Sequence, residues 1–124
     1  MKRRALVVDD DDLIREILPA LLEEHQYDAE VTESPEKALK IIAQRQFDVV
    51  FIDYEMPGMN GIELARIVRE KSPHSALILM TGLAAADLFQ SSRAHGFLQK
   101  PFSVDALREV LGSATRKLGG DGGT

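Results

Sequence analysis

The sequence predicts a doubly wound α/β domain, with five parallel strands in the order 2-1-3-4-5 and five helices. Three observations carry that expectation. Short apolar runs of strand length alternate along the chain with stretches of helical periodicity. Those runs do not themselves alternate apolar with polar, which suits strands buried on both faces by helices. Two of them, residues 5–8 and 49–52, stop abruptly at carboxylates, as they must where a buried strand emerges at the sheet edge.

The elements follow in order. Residues 5–8 form the first strand, ending at Asp9, Asp10, Asp11 and Asp12. Leu13, Ile14, Ile17, Leu18, Leu21 and Leu22 then recur at helical spacing, with Asp11 or Asp12 as the cap. Pro19 lies inside this helix, where it removes a hydrogen bond and costs roughly 3 kcal/mol in a regular interior. A bend is expected there, not a break. Residues 29–32 make a weak second strand at an edge of the sheet. Ser34 and Pro35 open a second helix that turns Ala38, Leu39, Ile41 and Ile42 inward.

Residues 47–53 are the third strand, and Asn60-Gly61 starts a third helix that Ser72-Pro73 ends. Residues 76–80 form a fourth buried strand running into Thr81-Gly82. A short fourth helix is expected over 84–94, then a fifth strand over 97–99 ending at Lys100-Pro101. Ser103 caps a last helix bearing Val104, Leu107, Val110 and Leu111. The expected domain is 1–118, with 119–124 a flexible glycine-rich tail.

Composition narrows the function. At 124 residues, 44% hydrophobic and 28% charged, the chain is one globular domain. Having no cysteine, it has neither disulfides nor thiolate chemistry. A net charge of −5 argues against direct nucleic-acid binding, and no apolar run reaches membrane-spanning length. The N-terminus leads into a strand and not a signal peptide, so a cytoplasmic location is expected.

In the expected topology the strand ends converge. Asp9 and Asp10 follow strand one, Asp53 ends strand three, Thr81 ends strand four and Lys100 ends strand five. Each has an ordinary explanation alone, as helix-end solvation, a turn or a surface lysine; their joint placement is what points to a site. Crowded carboxylates repel, and a divalent cation removes the conflict. All-oxygen ligands point to a hard ion that keeps its waters, Mg²⁺ with Mn²⁺ as substitute, held by Asp9, Asp10, Asp53 and the Glu55 backbone carbonyl. A lysine and a hydroxyl facing that ion suit a phosphoryl group, with Asp53 as nucleophile and Lys100 and Thr81 on the phosphoryl oxygens.

Four motifs stand in order: Val7-Val8-Asp9-Asp10; Asp53-x-x-Met56-Pro57-Gly58-Met59-x-Gly61; Met80-Thr81-Gly82; and Gly96-Phe97-Leu98-Gln99-Lys100-Pro101-Phe102. With them the sequence resembles a response-regulator receiver domain of two-component, phosphorelay signalling, over residues 4 to about 117. The resemblance implies a flavodoxin-like fold and phosphorylation of Asp53 by a phosphohistidine of a histidine kinase or histidine phosphotransfer protein. It also implies a cis peptide at Lys100-Pro101, and a switch in which Thr81 moves inward and Phe97 follows. Output would pass to a phosphorylation-dependent dimer or a downstream protein.

Two departures stand out. Phe97 follows Thr81 by only sixteen positions, shorter than the family pattern by roughly one helical turn. The fourth helix is therefore expected to be short or irregular, as in receivers attached to hybrid sensor kinases. Phe97 also replaces a frequent tyrosine, so it packs without a hydroxyl to bond. Glu55 and Leu83, each two residues past a pocket residue, are expected to tune the phosphoryl lifetime by flanking the path of attacking water.

The rival readings are weaker. A small aspartate-nucleophile phosphohydrolase needs a second Asp two residues past the nucleophile, where this chain has Glu55. A flavin-binding module would have its cofactor phosphate repelled by the acids at 9–12. His25, His74 and His95 lack ligand spacing and are expected to be solvated, while Met56 and Met59 are expected to pack.

Overall fold

The computed structural model describes residues 2–82 and 93–123. Strands β1 (Arg3–Val8), β2 (Tyr27–Thr32), β3 (Val49–Asp53), β4 (Ala76–Thr81) and β5 (Gly96–Gln99) form one parallel sheet in the order β2-β1-β3-β4-β5. Among the described residues the helices are α1 (Asp12–Glu24), α2 (Pro35–Gln44), α3 (Gly61–Lys71) and α4 (Val104–Gly123). The helix expected over 84–94 falls on residues 83–92, outside those described; Arg93 and Ala94 are not helical.

Alternation along the strands builds two cores, one on each face. Ala5, Val7, Phe51, Ile78, Met80 and Leu98 pack with Leu18 and Leu22 of α1 and Leu107 and Leu111 of α4. Leu6, Val8, Val50, Ile52, Leu77 and Leu79 pack on the opposite face with Ala38 of α2 and Leu64 and Val68 of α3. The central strands β1, β3 and β4 are therefore apolar on both sides, as their unbroken runs anticipate. Edge strand β2 is thinner, and its Val31 is exposed.

The expected caps form. The Asp11 carboxylate accepts from Leu13 N–H at 2.9 Å, and Ser34 Oγ accepts from Lys37 N–H at 3.2 Å. Asn60 Oδ1 accepts from Glu63 N–H and Ser103 Oγ from Ala106 N–H, both at 3.0 Å. Helix α1 passes through Pro19 unbroken. Its six apolar positions are too many for one buried stripe, and Leu13 and Ile17 stay exposed.

Helix α4 runs to Gly123. One expectation needs correction: His95 is not solvated but only 4% exposed. Its backbone N–H donates to the Leu77 carbonyl at 2.8 Å. Its ring Nδ1 accepts from Leu77 N–H at 2.9 Å, and the Arg69 guanidinium of α3 lies against Nε2. Just before β5 begins, the ring thus supplies the acceptor that a buried strand amide requires.

Replacing His95 by leucine is expected to leave that amide without its acceptor and to cost about 1–3 kcal/mol in urea unfolding. His95→Asn, whose side-chain oxygen can reach the same amide, is expected to recover part of the loss. Equal destabilisation by both variants would show that the bond to Leu77 is not what the ring contributes.

Candidate functional site

The parallel register brings the site together. Val8 pairs with Ile52, so Asp9, one residue past β1, lies beside Asp53 at the end of β3. Asp53 pairs with Met80, leaving Thr81 one step beyond, and Thr81 pairs with Gln99, leaving Lys100 one step beyond β5. The backbone continues this ladder past the strands: Tyr54 N–H donates to the Met80 carbonyl and Lys100 N–H to the Thr81 carbonyl, each at 2.8 Å. Four consecutive strand ends are therefore held in one row.

Asp9 and Asp53 are buried, whereas Asp10 faces solvent. Asp9 Oδ1 accepts from Asp11 N–H at 2.9 Å, and its Oδ2 is 2.7 Å from Lys100 Nζ. Asp53 Oδ1 is 3.4 Å from the same ammonium and accepts from Glu55 N–H at 3.3 Å. One lysine thus serves two buried carboxylates. Arg15, on the first turns of α1, donates from Nη1 to the Asp9 carbonyl at 3.0 Å and braces the loop that carries the acids. Sequence spacing does not announce this contact.

The electrostatics follow from burial. Desolvation, then the neighbouring Asp9 charge, push the Asp53 carboxyl up to about 7, and Lys100 and the Glu55 amide offset only part of this. Burial alone would pull the Lys100 ammonium down, but the hydrogen bond and charge of Asp9, with Asp53 behind it, hold it above the usual lysine range. Ligand oxygens of Asp9, Asp10 and Asp53 lie within 4.8 Å of one another. An all-carboxylate donor set with negative charge that one lysine leaves uncompensated fits a hard divalent cation.

The turn after β3 is fixed by sterics. Gly58 adopts φ +85°, a conformation that favours glycine. A Cβ on Gly61 would stand 2.6 Å from Tyr54 Cα and 2.7 Å from the Asp53 carbonyl oxygen. Absence of a side chain there lets α3 start directly beneath the end of β3, and the packing of Met56 and Met59 closes the loop over it.

The remaining expected residues are placed as follows. Thr81 is buried, and Phe97 is half-buried on β5, packed on the core face shared with α2 and α3. The Lys100-Pro101 peptide is cis, as the resemblance implies. Leu83 lies outside the described residues. Glu55 is exposed and turned toward Thr81: its Oε1 accepts from Thr81 Oγ1 at 2.6 Å and from Gly82 N–H at 2.9 Å. These bonds, the Thr81 hydroxyl first, hold the Glu55 carboxyl below its usual range. Nothing in sequence spacing announces this pairing, because it joins the loop after β3 to the end of β4.

Residues 5–112 match the family model of the response regulator receiver domain. Sporulation initiation phosphotransferase F of Bacillus subtilis is 30% identical over 114 residues, covering 90% of this chain and 92% of that protein. The response regulator protein FleR of Pseudomonas aeruginosa is 35% identical over 116 residues, 90% of this chain. This chain spans 24% of the length of FleR and 26% of that of PilR from the same organism. Among solved structures, the chemotaxis response regulator CheY4 of Vibrio cholerae superposes with a TM-score of 0.84 at 26% identity, covering 92% of this chain and 99% of that one.

Because burial raises the Asp53 carboxyl, its contribution to stability is fully present below about pH 4 and is lost as pH rises through about 7. Metal-free Asp53→Asn is therefore expected to gain stability over wild type as pH climbs across that window, by up to a few kcal/mol at its upper end. Thermal melts of both proteins from pH 4 to 8 check this. A constant difference across the window would show that Asp53 ionises without penalty.

Proposed function

Given that the chain belongs to the response regulator receiver family, we propose that Asp53 is its phosphoacceptor and that Asp9, Asp10, Thr81 and Lys100 serve the transfer. The domain is a phosphoacceptor signalling module. Such domains are not conventional turnover enzymes, and receivers of response regulators interact with histidine kinases or histidine phosphotransfer proteins. The observation that carries the residue assignment is the pairing of buried Asp53 with Lys100 at 3.4 Å, in line with the ends of β1 and β4.

The chemistry follows from those neighbours. An Asp53 carboxylate oxygen attacks phosphorus as the bond to the donor imidazole nitrogen breaks, giving an acyl phosphate and a free imidazole that takes up a proton. Lys100, already held at the pocket by Asp9, then pairs with a phosphoryl oxygen. The Thr81 hydroxyl donates to another, and Phe97 repacks behind it as the switch. Asp9, Asp10 and Asp53, with the Glu55 backbone carbonyl, are the residues that would hold Mg²⁺ or Mn²⁺. When bound, the ion neutralises the carboxylates and the incoming phosphoryl charge. Return of water to the acyl phosphate ends the signal, so the domain promotes its own phosphorylation and dephosphorylation.

A phosphohydrolase reading finds no support in the geometry. It would need the acid two positions past Asp53 facing a leaving group, and the Glu55 carboxylate is instead engaged by Thr81 and Gly82. Partners beyond the phosphoryl donor, whether a second copy of the domain or a downstream protein, would read the face around Phe97. Among the described residues no helix is long and apolar enough to cross a membrane.

With Mg²⁺ and a small acyl-phosphate donor, intact-mass spectra are expected to show a phosphoryl adduct on wild type, and none with chelator or in Asp53→Asn. An adduct that survives Asp53→Asn, or rapid multiple-turnover hydrolysis of unrelated phosphate esters, would overturn the assignment.

A further inference from the structure

The side chain of Glu55 reaches from the loop after β3 to the end of β4. Its Oε1 takes two hydrogen bonds, from Thr81 Oγ1 at 2.6 Å and from Gly82 N–H at 2.9 Å. Thr81 ends β4 and Gly82 follows it, and the Thr81 hydroxyl is the group that must turn toward the phosphoryl group if the assignment above is right. A carboxylate accepting from a hydroxyl and an amide makes charge-assisted bonds, roughly twice as strong as neutral ones. The backbone beneath Glu55 is itself fixed, since its N–H donates to Asp53 Oδ1 at 3.3 Å. The side chain therefore reaches from a fixed point across to β4.

We propose that Glu55 is a positioning residue that latches Thr81 and Gly82 in the unphosphorylated domain. A phosphoryl group on Asp53 must draw the Thr81 hydroxyl out of this latch. The inference rests on Asp53 being the acceptor, and it assigns the Glu55 side chain a part the acceptor chemistry does not require. By linkage, a contact made in the resting arrangement and lost in the phosphorylated one lowers the affinity for any phosphoryl mimic.

Two explanations of a Glu55 effect have to be separated. Removing its negative charge would favour any anion at Asp53, whatever Thr81 does. Removing the latch acts through its donors, Thr81 first. Glu55→Gln distinguishes them in part, because the amide oxygen still accepts from Thr81 and Gly82 while the charge is gone. The cycle with Thr81→Val goes further, since valine removes the hydroxyl and leaves Glu55 only the Gly82 N–H to hold.

The test measures beryllofluoride affinity in Mg²⁺ for wild type, Glu55→Gln, Glu55→Ala, Thr81→Val and Thr81→Val/Glu55→Ala, with the Gly82 amide resonance followed by NMR. Glu55→Ala is expected to tighten binding about tenfold, with Glu55→Gln between it and wild type. In the Thr81→Val background the gain from Glu55→Ala is expected to shrink several-fold. The Gly82 resonance of metal-free Glu55→Ala is expected to move toward its position in the beryllofluoride-bound wild type. Equal gains in both Thr81 backgrounds, or Glu55→Gln matching Glu55→Ala, would assign the effect to charge and overturn the latch. Failure of wild type to bind beryllofluoride would instead strike at Asp53 as acceptor, a distinct outcome.

Discussion

One ammonium shared between two buried carboxylates is the interaction on which the site depends. Lys100 stands 2.7 Å from Asp9 and 3.4 Å from Asp53, and neither acid has water around it to carry its charge. Burial away from water, then the neighbouring Asp9 charge, pushes the Asp53 carboxyl up to about 7, and the single lysine offsets only part of this. The same imbalance suits the pocket to a divalent cation, whose charge would offset the carboxylates that one lysine leaves uncompensated.

That arrangement is a consequence of parallel strand register rather than of any local structure. Each of the four residues lies at or one step beyond the end of a different strand, and the ladder of β1, β3, β4 and β5 aligns those ends. Helix α3 can begin against the end of β3 only because Gly61 presents no Cβ to Tyr54 and Asp53. A similar close fit holds β5 on α4, where a Cβ on Gly96 would meet Val110 Cγ2 at 2.6 Å. Strand ends that must register within an ångström tolerate little slack in the layers behind them.

Much of this was legible in the sequence. Apolar runs ending in acids gave the strands and their order, and the caps at Asp11, Ser34, Asn60 and Ser103 gave helix starts that the structure reproduces. Residues expected to converge do so, because βα alternation leaves few ways to wind a five-stranded parallel sheet. His95 was misread because a histidine between loop and strand looks solvated. Its burial depends on Leu77, eighteen residues earlier, needing an acceptor.

Returning to the residue that ends β3, the sequence by itself determined that Asp53 is an acid at the mouth of a buried run, with other acids, a hydroxyl and a lysine at neighbouring strand ends. Those are facts of pattern and spacing, and a period-2 strand carries them faithfully. Only the tertiary structure decided how the side chains pair: Lys100 leaning on Asp9 more closely than on Asp53, Arg15 bracing the Asp9 carbonyl, and Glu55 reaching across to Thr81. Such pairings join separate loops over distances of a few ångströms, and hydrogen bonds are made or lost within a fraction of that length. Sequence spacing brings groups to the same edge of the sheet; the packed backbone fixes which of them touch.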